Sequence, residues 1–105
     1  QTLGLVYPTC AEGGGGSAIS CMHAATIPVL PRESSVDLGS GCVELDSCSV
    51  ERVQALVRDL SARPAVELEG LARSAWEQAR KNHTRPAFAR AFANFVDEVL
   101  LPVQV

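Results

Sequence analysis

No cluster of Lys and Arg breaks the interleaved charges of this 105-residue chain, whose net charge is -3. That removes the electrostatic footprint of a nucleic-acid binder and any basic segment that would hold a membrane surface. No apolar stretch approaches the roughly 20 residues needed to span a bilayer, and no signal-peptide pattern opens the sequence. Cys10, Cys21, Cys42 and Cys48 include no C-x-x-C pair. Zinc sites draw on closely spaced ligands, and only His23 and His83 could join these thiols, so no metal centre is expected. An even cysteine count is compatible with two bridges. Without secretory context, the reading is small buried thiols in a reducing cytoplasm, with peripheral membrane attachment left open. Internal repeats are absent too.

What is present is 47% hydrophobic and 20% charged, the balance of a folded, water-soluble protein. The length suits one small domain, or part of one, with a modest core. The first residue is Gln1 rather than Met, which reads as a cut or processed end.

Leu3-Gly4-Leu5-Val6-Tyr7, stopped by Pro8, reads as a buried strand. Residues 17–25 are small and helix-tolerant, with Ser17 as N-cap and Ala18, Ile19, Cys21 and Met22 facing inward. Thr26 to Leu30 forms a second strand, its Pro28 better placed at an end than in mid-ladder. Cys42-Val43-Glu44-Leu45 makes a third. Ser49 then caps a helix with Val50, Val53, Leu56, Val57 and Leu60 on one face, ended by Pro64. A second helix carries Leu68, Leu71, Ala72, Ala75 and Ala79, with Trp76 beside them, and closes at Asn82-His83. Thr84 caps a third, with Pro86 in its first turn. Its stripe of Phe88, Phe92, Phe95, Val96 and Val99 is expected to pack in the core. His23 reads as packed or surface rather than catalytic, and His83 as a helix-end residue that compensates the dipole. Arg32 and Glu33 read as a solvated loop pair.

The alternation of strands and helices points to an α/β fold with a parallel sheet. Three short strands make only half of an open sheet of that kind. The expected architecture is therefore the second half of a Rossmann-like parallel sheet followed by C-terminal helices. Residues 1–48 carry the strands, the glycine-rich turn and the first helix; residues 49–105 carry the C-terminal helices.

Between the first strand and the first helix stands Glu12-Gly13-Gly14-Gly15-Gly16-Ser17. Glycines let a backbone approach a ligand closely, and the first N–H groups of a helix are unpaired, so such a turn can cradle a phosphate. It is neither G-x-G-x-x-G nor a P-loop, since no Lys-Ser/Thr follows. A tight strand-to-helix turn with no ligand would use the same residues. An artificial linker would not be flanked by a matching strand and helix.

The stretch YPTCAEGGGGSAISCMHAATIPVLPRES resembles the donor-binding segment of retaining glycosyltransferases of the two-Rossmann-domain (GT-B) fold, the family 4 type related to glycogen and sucrose synthases. Glu12, Gly13, Gly15, Met22, Pro28 and Val29 sit where that family's pattern places them, and SAWEQARKNHTRPAFARAF resembles its C-terminal helices. The resemblance spans about residues 3 to 100. It implies transfer of a sugar from a nucleotide-sugar donor to an acceptor, without a bound metal or cofactor. Glu12 would touch the donor sugar. The backbone of Gly13, Gly14, Gly15 and Gly16 would face sugar and pyrophosphate, and the helix from Ser17 would help neutralise the leaving diphosphate. The family's second glutamate, which grips the nucleotide ribose, falls at Ser20; a hydroxyl there makes no charge-assisted contact. Ala25 stands in place of the usual turn glycine. The implied partners are the donor, an acceptor and the remainder of a parent enzyme, or a second copy paired through an exposed sheet edge. Taken alone, the chain is expected to be inactive. The rival reading is a non-catalytic α/β fragment or degenerate interaction module.

Overall fold

The computed structural model describes residues 2–8, 16–34 and 41–103. Along the chain lie β1 (Gly4–Val6), α1 (Gly16–His23), β2 (Ile27–Leu30), a 3-10 turn (Arg32–Ser34) and β3 (Val43–Glu44). Then come α2 (Val50–Ala62), α3 (Ala65–Asn82) and α4 (Arg85–Phe95). Beyond α4 the helix runs on through a π turn (Val96–Leu100) and a 3-10 turn (Leu101–Val103). The result is a mostly helical α/β chain around a small sheet, ordered β1–β2–β3 and parallel throughout.

Alternation along the strands sorts the core into two faces. Val6, Val29 and Val43, with Leu45, meet Leu56 and Leu60 of α2, and Val53, Leu68 and Leu71 close that cluster. Leu5, Tyr7 and Leu30 meet Ala18 and Ile19 of α1 on the opposite side. Central β2 is buried at every position, as a strand covered on both faces should be. Helix α3 leans on α1 through small residues: Met22, Ala75 and Ala79 are fully buried and pack with Cys42. The predicted caps of α2 and α4 hold. Ser49 Oγ accepts from the Arg52 N–H and Thr84 Oγ1 from the Ala87 N–H, and Pro64 separates α2 from α3.

Several expectations need correction. Pro28 lies second in the central strand, paired with Leu5. It is tolerated because the ladder to β3 begins only at Val29↔Val43, while the bonds to β1 use the Ile27 N–H and the Val29 carbonyl. Helix α1 starts at Gly16, so Ser17 is a second helical residue, exposed, and not the cap. Val50 and Val57 are exposed, because the sheet beneath α2 is too narrow to cover the whole stripe. Cys48 is exposed, and Cys21 and Cys42 are half-buried rather than buried; none of the three is in a disulfide, and Cys10 lies outside the described residues. The phenylalanine stripe is not core: α4 buries no residue, and Phe88 is 68% exposed. Trp76 is also exposed and carries the Arg80 guanidinium 5.5 Å from its ring centroid. The Cα radius of gyration, 16.2 Å, exceeds the roughly 13 Å of a compact chain this long.

Helix α1 ends in a Schellman turn. The Ala25 N–H bonds the Met22 carbonyl and the Thr26 N–H the Cys21 carbonyl, both at 3.0 Å, and Ala25 takes φ 58°. An L side chain is strained there, and such a position is one that geometry prefers to give to glycine. Ala25→Gly is expected to stabilise the chain by about 0.5–1 kcal/mol. Gly70 is the converse case, a glycine inside α3 whose Cβ would meet nothing within 4 Å. Gly70→Ala should add about 1 kcal/mol. Urea midpoints of the two variants measure both effects.

Candidate functional site

In a parallel sheet, ligands bind beyond the carboxyl ends of the strands, where the following helices present their N-termini. Here the N-terminal half of α1 packs with Tyr7 and Leu30, the residues at the carboxyl ends of β1 and β2. Gly16, Ser17 and Ser20 are exposed and share one face of α1, three and four residues apart. Glu12, Gly13, Gly14 and Gly15 lie outside the described residues. Of the predicted site residues, then, the structure brings together Gly16, Ser17 and Ser20.

The same rim carries charge that the sequence reading did not single out. Arg32 Nε donates to Glu44 Oε1 at 3.2 Å, joining the turn after β2 to the end of β3. Arg32 is exposed, as the solvated-loop reading has it, and its partner lies across the strand ends. Two residues beyond Glu44, Asp46 accepts from Arg52 Nε at 2.7 Å. That hydrogen bond to Arg52 holds the Asp46 carboxyl below its ordinary value. Arg32, Glu44, Leu45 and Asp46 line an open depression of about 220 Å³, with the start of α2 beyond it. Such exposed pairs add little stability; what they place at the rim is two guanidiniums that a competing anion could engage. The signal available in the sequence was position: Glu44 ends the third strand, Asp46 lies two residues beyond it, and Arg52 follows the Ser49 cap.

Along edge strand β1, on the α2 side of the sheet, lies an apolar trough of about 380 Å³, lined by Leu3, Val6, Val29, Val57 and Leu60 among others. No strand among the described residues pairs with that edge.

Neither histidine lies on the rim. His23 Nε2, at the end of α1, is 2.9 Å from the His83 carbonyl, which makes the Nε2–H tautomer the donor. His83 ends α3 as its C-cap residue, and its own Nε2 is buried without a hydrogen-bond partner. Both therefore pack at the α1–α3–α4 junction. Among the described residues, no three metal-ligating side chains are gathered, and no helix is long and apolar enough to cross a membrane. The chain matches no protein-family model, no curated protein and no solved structure.

Proposed function

We propose that the chain is the second half of a Rossmann-like donor-binding domain, and that its carboxyl rim binds the diphosphate of a nucleotide-sugar in a glycosyltransferase. The observation that carries this reading is the order β1–β2–β3, all parallel, with α1 crossing between the first two strands. Strands that advance in one direction are what one half of a doubly wound sheet contains, and its ligand crevice opens where the order reverses. That reversal would lie beyond the free edge of β1, beside the apolar trough and next to the glycine-rich turn. The positive φ of Ala25, at the position where the resembled family has its turn glycine, supports the same alignment.

In this reading the backbone of Gly13 to Gly16 and the first amides of α1 take the diphosphate, and Ser20 reaches the ribose from the same helix face. Glu12 contacts the sugar. An upstream half-domain supplies further diphosphate contacts, covers β1 and, with an acceptor domain, completes the transferase.

The test is titration of the ¹⁵N-labelled chain with UDP and with GDP. The largest amide shifts are expected at Gly13 to Ser17, and Gly15→Val should abolish them by blocking the approach of the phosphate. Ser20→Glu should tighten nucleotide binding about 10-fold through a charge-assisted bond to the ribose. Shifts confined to α3 and α4, or indifference to Gly15→Val, would sink the proposal and leave an interaction module.

A further inference from the structure

The C-terminal arm has an apolar face that nothing among the described residues covers. Phe88, Phe92, Phe95 and Val99 recur every four and three residues, so they share one side of the helix. Their exposures run from 68% at Phe88 to 48% at Phe95 and Val99. Phe88 and Phe92 stack on each other with centroids 5.8 Å apart. A groove of about 500 Å³ runs alongside, between α4 and α1, lined by Ile19, His83, Ala87, Phe88 and Ala91 among others.

The charges on the arm stand against its own dipole. Arg85 and Arg90 occupy its first part and Asp97 and Glu98 its last. Cations near a helix N-terminus and anions near its C-terminus are both unfavourable in an isolated helix. An antiparallel partner of the same sequence removes the conflict. With a two-fold axis between Ala91 and Phe92, Arg85 of one copy lies level with Glu98 of the other. Phe88 then lies level with Phe95, and small Ala91 at the axis permits close approach. The two macrodipoles also oppose.

We infer that the α4 arm is a self-association surface, and that its partner is the arm of a second copy of this chain, packed antiparallel about Ala91 and Phe92. The interface is isologous, so the same patch serves both copies and the assembly closes at two. Six half-exposed phenylalanine rings at roughly 200 Å² each supply on the order of 600 Å². Val99 from both copies brings the area to about 750 Å², below the roughly 1,000 Å² of a stable specific contact, so the dimer is a weak one. The arm's two arginines and two acids balance, leaving no basic band to favour an anionic membrane instead.

Sedimentation equilibrium on the whole chain tests this. The apparent mass is expected to rise from 11.1 kDa toward twice that value as concentration increases from about 10 μM to about 1 mM. Phe92→Ser, at an exposed position, should weaken dimerisation at least 10-fold while circular dichroism stays unchanged. Arg85→Glu and Glu98→Arg should each weaken it about 3-fold, and the double exchange should restore it. A mass that stays at the monomer value overturns the inference. So does a dimer that survives Phe92→Ser but is lost in Leu3→Lys, which would place the contact at the sheet edge. Failure of the charge exchange to rescue overturns the antiparallel register. Binding of a monomeric chain to phosphatidylserine vesicles through the same face would replace the second copy with a membrane.

Discussion

Gly41→Ala is expected to destabilise the chain by about 3 kcal/mol or more, a large share of the stability of a domain of this size. A Cβ built on Gly41 would lie 2.6 Å from the Ser74 carbonyl carbon and 2.7 Å from Ala75 Cα, and would overlap the Ala75 nitrogen. Those atoms are helix backbone, which cannot swing aside as a flexible side chain can. Accommodation requires α3 to move off β3, opening the cluster of Met22, Ala75, Ala79 and Cys42. Urea denaturation followed by circular dichroism measures the loss. A variant with the wild-type midpoint would mean that α3 does not lie where it is described. Gly4→Ala should cost less, because its Cβ would meet a single backbone atom, the Ile27 oxygen, at 2.9 Å.

Met22→Ala is expected to cost about 3 kcal/mol. Met22 is fully buried between α1 and α3, facing alanines too small to close over a missing thioether. Met22→Leu, which nearly conserves volume, should stay within about 1.5 kcal/mol of wild type. The comparison separates cavity formation from any requirement for sulfur. Because α1 carries Gly16, Ser17 and Ser20, amide exchange along α1 in Met22→Ala should quicken beyond what the global loss explains.

How much of this could be read from the chain depended on how local each signal was. Strand–helix alternation, the Ser49 and Thr84 caps and the break at Pro64 are encoded within a few residues, and the structure bears them out. The phenylalanine stripe was misassigned for a physical reason. Periodicity reports that a helix has an apolar face, not whether anything in the same chain covers it. The role of Gly41 was illegible because it depends on a helix more than thirty residues away. The Arg32–Glu44 pair was illegible because the parallel pairing of β2 and β3 brings two strand ends twelve residues apart side by side. The glycine-rich turn stood out in the sequence, yet Glu12, Gly13, Gly14 and Gly15 fall outside the described residues, leaving Gly16, Ser17 and Ser20 to define the rim.

The hydrogen bond from His23 to the His83 carbonyl ties the last residue of α1 to the C-cap residue of α3, immediately before the α4 arm begins. The arm from Arg85 to Val103 is about 28 Å long at 1.5 Å per residue. A tilt of about 5° at His83 therefore displaces its far end by roughly 2.5 Å. A movement of α1 passed on through that bond would be magnified along the length of the arm. A pair of spin labels on the arm and the sheet would register a shift at the opposite end of α1 as a change in distance.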